Sequence, residues 1–226
     1  MSVTRTAVSR RSRRPAIAPE AAFDTRHRDR AQKRFAVLTC AAELFLTRGY
    51  HLTRLDDVAD CLGITKPALY NYFRSKHEIL LGCHMLGHDL IDASLEKIEQ
   101  EGGNGLVRLQ MLIRAYAGVM TQQFGMCLVR LDEHELEPDA LAEVLKRRKY
   151  VNRRFEDYLR QGMKDGSIGA CDVRLTAFSI AGSLNWISRW YKPGRGLTSG
   201  QIGDRFADQL TRGLLPERSG VSGGET

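Results

Sequence analysis

The sequence predicts an all-α fold, and three observations predict it. Apolar residues recur every three to four positions along most of the chain after residue 28, the spacing of one helix face. Nowhere does the strict apolar–polar alternation of a half-buried strand occur, and no internal repeat stands out. Helix starts and stops are marked in sequence by hydroxyl and acidic caps, by prolines in first turns and by glycines just past helix ends.

The most informative stretch is residues 53–78, TRLDDVADCLGITKPALYNYFRSKHE. Thr53 and Asp56 have the spacing of a capping box. Leu55, Val58, Ala59 and Leu62 then make one apolar stripe on a short helix. Gly63 follows, where a left-handed backbone costs least, and Ile64 can pack the corner. Thr65 is a good N-cap for the next helix, with Pro67 in its first turn, where no intrahelical donor is lost. Leu69 and Phe73 are expected to face the core, leaving Lys66, Pro67, Tyr70 and Asn71 on the outer arc. Ser75 and Glu78 form a second capping box that restarts the chain as a longer helix. Two helices joined by a Gly-containing turn, the second capped and polar outside, read as a helix-turn-helix.

Charge follows the same division. Of the net charge of +7, all lies in residues 1–82, with 15 Lys and Arg against 8 Asp and Glu; residues 83–226 hold 19 against 19. A basic module suits a polyanion, because phosphate contacts and counterion release supply much of DNA affinity. The five cysteines (Cys40, Cys61, Cys83, Cys127, Cys171) are scattered and form no CxxC pair, which predicts reduced thiols, not a disulfide framework or zinc site. No apolar run approaches the roughly 20 residues of a membrane span, and no apolar stretch follows the Arg-rich N-terminus as in a secretory signal. The expected compartment is the cytoplasm.

In chain order, residues 1–28 lack periodicity and are expected to be a disordered basic arm. Its Arg10, Arg11, Arg13 and Arg14 read either as a groove- or phosphate-reaching arm or as a solubilising tail. Residues 29–48 form a first helix with Phe35, Leu38, Ala42, Phe45 and Leu46 on one face, ending at Gly49. Helices two and three follow, and residues 29–82 make one three-helix domain. Lys66 and Asn71 are the expected base readers, with Pro67 and Ala68 offering apolar contact to thymine methyls. Thr53, Tyr70, Tyr72 and Lys76 are placed for phosphates, Lys76 aided by the dipole of the helix it opens. Arg54 suits either role, and Thr65 at the cap is counted with the DNA-binding set.

Residues 83–216 are expected to form a second helical domain for ligand binding and dimerisation, with 217–226 a disordered tail. The fourth helix runs from Ser75 to about Glu99 and ends at a Gly-rich break after Glu101. His84 and His88 lie four apart on it, the spacing of helical metal ligands, but no third ligand is identifiable, so no metal or other cofactor is expected. A fifth helix carries Leu106, Leu109, Ile113, Tyr116 and Met120 to about Gln123. A short apolar segment, residues 126–131, precedes an acidic stretch, 132–137. Pro138 opens a long helix to Asp165 with Leu141, Val144, Leu145, Val151, Phe155, Leu159 and Met163 inward; its run from Lys146 to Lys149 reads as a solvated face. Asp172 caps the next helix, and Thr198 with Gln201 forms a capping box for the last, with Ile202, Phe206, Leu210 and Leu214 as an apolar seam. Ala181, Gly182 and Ser183 would let two helices approach closely, so the last two helices are the expected homodimer contact.

The run LDDVADCLGITKPALYNYFRSKHEIL resembles the DNA-binding motif of TetR-family transcriptional regulators. The pairs Val58-Ala59, Gly63-Ile64, Leu69-Tyr70, Tyr72-Phe73 and Leu80-Leu81, with Lys76, stand where that family has its pattern; Tyr72 departs from a common His. The resemblance covers about residues 31–82. It implies a dimer built from a four-helix bundle of the last helices, and a small-molecule pocket for which His84, His88, Tyr116, Met120, Phe124, Asn185, Trp186, Arg189 and Trp190 are the candidate linings. The segment NWISRWYKPG at 185–194 is similar to the corresponding part of family members that answer to acyl-CoA thioesters, and Arg189, Lys192 and Arg195 could meet a CoA phosphate. The expectation is therefore a dimeric repressor that binds a palindromic double-stranded DNA operator and is released by an effector, an acyl-CoA thioester being one candidate. The alternative is a DNA-binding protein without an effector, constitutive or architectural. An enzyme is not expected: no nucleophile–base pair and no phosphate-cradling Gly loop is present, and no residue is assigned a catalytic role.

Overall fold

The computed structural model describes residues 30–216. The arginine cluster of the N-terminal arm and the expected C-terminal tail lie outside the described residues. Within them the chain forms nine α-helices and no strand: α1 (Arg30–Arg48), α2 (Leu55–Leu62), α3 (Lys66–Tyr70), α4 (Lys76–Glu101), α5 (Gly105–Met120), α6 (Gln123–Arg130), α7 (Pro138–Asp165), α8 (Val173–Trp190) and α9 (Ser199–Arg212), with a 3₁₀ turn at Glu133–Glu135. The expected apolar segment at 126–131 is thus most of a helix, α6. None of the helices is long and apolar enough to cross a membrane.

The first three helices and the start of α4 share one core. Ala36, Val37, Leu38, Ala41, Ala42 and Phe45 of α1 meet Val58, Ala59 and Leu62 of α2, Leu69 of α3, Phe73, and Ile79 and Leu80 of α4. The buried arc of α1 is turned from the expected one: Phe35 is 52% exposed, its ring only edging Phe124 at 5.6 Å. The reason is that α6 also packs on α1, so α1 buries a second flank.

Two caps differ from expectation. Helix α2 begins one residue later than the Thr53–Asp56 box requires, with Arg54 as N-cap and its backbone N–H donating to the Asp57 carboxylate at 2.7 Å. Gly49, at φ 96°, turns the chain so that the Thr53 hydroxyl donates to the Gly49 carbonyl instead, at 2.8 Å. At the start of α4 the Ser75 hydroxyl accepts from the Glu78 amide at 3.1 Å, but the Glu78 carboxylate takes the Arg74 amide, one residue before the expected donor. The Thr198–Gln201 box forms as expected, and so do the left-handed Gly63 (φ 63°) and the Thr65 cap.

The cysteines also depart from expectation. Cys40 of α1 and Cys61 of α2 form a disulfide, their Cα atoms 6.6 Å apart, while Cys83, Cys127 and Cys171 remain free thiols. The two are 21 residues apart in sequence, and only the packing of α2 on α1 brings them together.

A second core gathers Ile91, Leu95 and Ile98 of α4 with the inner faces of α5, α7, α8 and α9. On α7 the expected Val144, Val151, Phe155 and Leu159 are buried, but Leu145 and Met163 are exposed. Each follows a buried residue, Val144 or Gly162, by one position and so lies about 100° round the helix from the buried arc. Helix α9 lies along α5, where Gly203 lets the backbones close: a Cβ there would stand 3.1 Å from the Arg114 carbonyl. Arg114 pairs with Asp204 at 2.9 Å, and the Gln110 amide donates to the Thr211 hydroxyl at 2.9 Å. The apolar seam of α9 is therefore used largely inside the protomer, Ile202 being buried and Phe206 and Leu210 half-buried. Helix α8 instead leaves Leu175, Trp186 and Trp190 exposed on one face, with open space over Gly182 between them.

Helix α4 runs through both cores, and α6 braces it against α1. Gly87 lets α4 and α6 close, a Cβ there standing 2.5 Å from the Phe124 carbonyl. The Gln123 side chain donates to the Thr39 carbonyl at 2.7 Å and Arg130 to the Leu46 carbonyl at 2.8 Å, clasping both ends of α6 to α1.

Candidate nucleic-acid interface and ligand cavity

Helix α3 is short, so its placement depends on what holds its ends. Its N-terminus is set by the Gly63 turn and the Thr65 cap. Its C-terminal carbonyls are met by cations from α1: Arg30 donates to the Asn71 carbonyl at 3.4 Å and Arg34 to that of Tyr72. Arg34 also lies over the Phe73 ring, 4.1 Å from its centroid, and 3.7 Å from Glu78. Positive groups at a helix C-terminus are favourable against the macrodipole. Leu69 and Phe73 are buried beneath, as the spacing requires.

The outer arc is as expected: Thr65, Lys66, Pro67, Tyr70 and Asn71 are exposed, with Ala68 half-buried among them. Lys66 is held by Asp56 across the turn at 3.0 Å, an exposed pair that a stronger anion can displace. Arg54 is exposed at the start of α2, and Tyr72 is half-buried beside α1. Lys76 opens α4 with its ammonium 4.1 Å from the Tyr50 ring centroid and 3.5 Å from the His51 carbonyl; partial burial lowers its pKa. Thr53 is the exception. It is 1% exposed with its hydroxyl committed to Gly49, so its side chain serves the turn and not a phosphate.

Behind this surface, α4, α5, α6, α7 and α8 enclose a cavity of about 240 Å³. Four of the expected lining residues meet there: His84, His88, Tyr116 and Asn185. Tyr116 donates from its hydroxyl to Asn185 Oδ1 at 2.8 Å across the cavity, and burial pushes its pKa up to about 12. Burial lowers both histidines to about 4; Arg147 adds to this at His88, while Glu133 opposes it at His84. The imidazoles are neutral at pH 7. Among the described residues no group of three metal-ligating side chains surrounds them.

The other five expected linings lie elsewhere. Met120 is wholly buried in the second core, and Phe124 is built into the first against α1. Trp186, Arg189 and Trp190 are exposed, because α8 turns its Phe178–Ala181–Asn185 arc to the cavity and the neighbouring face, past Gly182, to the surface. Lys192 and Arg195 are likewise exposed and off the cavity. Residues the sequence did not suggest take their place: Glu133, Arg148, Asn152 and Phe178. Arg148 belongs to the basic run read as a solvated face, yet it pairs with Glu133 at 2.5 Å, and its neighbour Arg147 holds Asp89 at 2.5 Å and Asp92 at 3.3 Å on α4. An acidic run from Asp132 to Glu143 followed by a basic run from Lys146 to Lys149 was the available signal, but partner choice is tertiary.

Two family models match this chain. One, described as bacterial regulatory proteins of the tetR family, covers residues 37–83; the other, a tetracyclin repressor-like C-terminal domain, covers residues 102–214, half of the chain. The chain belongs to the TetR family. As a member it is a DNA-binding transcriptional regulator and not an enzyme. It is 29% identical over 189 residues to the HTH-type transcriptional repressor KstR2 of Mycobacterium tuberculosis, covering 82% of this chain and 94% of that one. The structure of that ketosteroid regulator superposes with a TM-score of 0.76 over 82% of this chain and 96% of the other, at 28% identity. A structure of AibR in complex with isovaleryl coenzyme A and operator DNA matches at TM-score 0.71 and 28% identity, over 83% of this chain and 99% of that one. In this TetR-family chain α2 and α3 are the helix-turn-helix, and the second model covers the cavity lining from α5 to α8, while His84, His88 and Ile91 of α4 lie before it.

Proposed function

We propose that this regulator is a dimeric repressor that holds a palindromic operator through α3 of each protomer and lets go when a small-molecule effector, an acyl-CoA thioester, fills the cavity. The observation that carries this reading is the span of α4. One helix presents Lys76 beside α3 at its start and His84 and His88 to the cavity two to three turns on. An effector with different affinity for two placements of α4 biases the placement of the reading heads. Residues 29–82 act as the DNA-binding domain and 83–216 as the effector and dimerisation domain. Lys66, Asn71, Pro67 and Ala68 address bases; Tyr70, Tyr72 and Lys76 address the backbone, and Arg54 suits either.

Dimerisation is supported by the exposed Leu175, Trp186 and Trp190 on one face of α8, which a partner copy would cover. The repressor and thioester assignments draw on KstR2, named a repressor, and on AibR, solved with isovaleryl coenzyme A. The test is an operator titration by fluorescence anisotropy at fixed salt, with and without a panel of acyl-CoA thioesters. Release by a thioester, with the free acid and free CoA inert, is the expected result. An operator complex indifferent to every member removes the thioester and leaves a regulator without this effector class.

A further inference from the structure

The wall of the cavity made by α4 carries a hydrogen-bonding requirement that the protein does not meet. His84 and His88 lie one turn apart, 1% and 4% exposed. Both ring nitrogens of His84 and Nδ1 of His88 find no hydrogen-bond partner among the described residues. Buried polar groups are normally paired, and the other polar groups of the cavity largely are: Tyr116 with Asn185, and Arg148 with Glu133. The charged groups near the histidines are Glu133, Arg148, Arg147 and Asp89. Arg148 is taken by Glu133, and Arg147 by Asp89 and Asp92. No cation is left over for a carboxylate at this wall, and the imidazoles, neutral at pH 7, supply none.

The direction of entry follows from exposure. Of the lining, Arg148 on α7 is exposed away from the α8 face that a partner copy would cover, to which Gly182 belongs, whereas the α4 side is closed. A ligand entering past Arg148 of α7 brings its leading end to the histidines. At about 240 Å³ the cavity falls below the roughly 300–1,000 Å³ of drug-sized pockets, so it suits an acyl group with the bulk of a CoA left outside.

We propose that His84 and His88 select effectors whose leading end bears a neutral oxygen, a ketone or a hydroxyl. This rests on the cavity being the effector site. A neutral imidazole offers one N–H and one acceptor nitrogen, so the pair can donate to a carbonyl or exchange hydrogen bonds with a hydroxyl. A hydrocarbon end leaves these nitrogens unpaired, and sites built to hydrogen-bond a ligand reject the analogue lacking the group. A carboxylate end meets no free cation and approaches Glu133.

The experiment is operator release, by fluorescence anisotropy, with CoA thioesters matched in chain length: saturated, oxo-substituted near the far end, hydroxy-substituted there, and terminally carboxylated. The oxo and hydroxy forms are expected to release operator at concentrations at least tenfold lower than the saturated and carboxylated forms. In the variant His84→Leu/His88→Leu this preference should vanish, and in His84→Gln/His88→Gln, which keeps neutral hydrogen-bonding groups, it should persist in part. Thermal melts and operator affinity verify that the variants fold, and the wild-type comparison needs no variant. Equal release by saturated and oxygenated thioesters overturns the selection by the histidines and leaves the effector reading intact. So does a preference that survives in the leucine variant. If no thioester releases operator, the thioester reading itself fails and this inference falls with it.

Discussion

His51 Nε2 stands 3.1 Å from Glu135 Oε1, a contact that ties the loop before α2 to the turn before α7. Two residues earlier, Glu133 lines the cavity and pairs with Arg148. One short turn therefore faces the cavity on one side and the DNA-reading domain on the other. An exposed polar contact of this kind contributes about 1 kcal/mol or less. Glu135→Gln is accordingly expected to leave global stability within about 1 kcal/mol while amides in residues 49–54 exchange faster. Hydrogen exchange followed by mass spectrometry reads this directly; unchanged protection there would mean that the loop is held by α1 and α4 alone.

Thr53 and Lys76 were grouped together by sequence and are separated by the fold. Lys76→Ala is expected to weaken binding about equally across operator sequences and to lower the salt slope by about 1. Thr53→Ala is expected to cost about 1 kcal/mol of stability through the lost bond to Gly49, with the salt slope unchanged. Anisotropy titrations over a range of salt, beside chemical denaturation, distinguish the two.

The buried histidines make stability depend on pH. Their folded pKa values of about 4 lie below the ordinary 6.5, so the unfolded chain binds protons that the folded one does not. Their contribution is complete above the unfolded pKa and declines as pH falls from about 6.5 toward 4, by about 2 kcal/mol per histidine at pH 5. The melting temperature should drop between pH 7 and 5, and His84→Leu/His88→Leu should flatten that part of the profile. A double variant with the parental slope would place the proton uptake elsewhere.

The link between Cys40 and Cys61 closes a 21-residue separation across α1 and α2. Thiol titration of the denatured, unreduced protein should count Cys83, Cys127 and Cys171 alone. Reduction should lower stability by about 3 kcal/mol on the chain-entropy account. Five titratable thiols would show the pair to be reduced in solution.

Local order was legible in the sequence because it is written in neighbours. The Gly63 turn, the Thr65 cap, the burial of Leu69 and Phe73, the outer arc of α3 and the Thr198–Gln201 box all depend on residues within four positions of one another. The all-α class followed for the same reason, since periodicity is a local property. The histidine pair was visible too, one helical turn apart on the inner face of α4.

Only the tertiary structure decided which faces meet. It turned α1 so that Phe35 lies at the surface, because α6 claims the other flank. Trp186, Arg189 and Trp190 were put outside the cavity, while Glu133, Arg148 and Phe178 were brought in from segments whose partners only packing selects. The Thr53 hydroxyl was spent on Gly49, and Cys40 was set against Cys61. Each outcome turns on the rotation of one helix about its axis against another, which packing of the whole core determines and a 3.6-residue period alone leaves open.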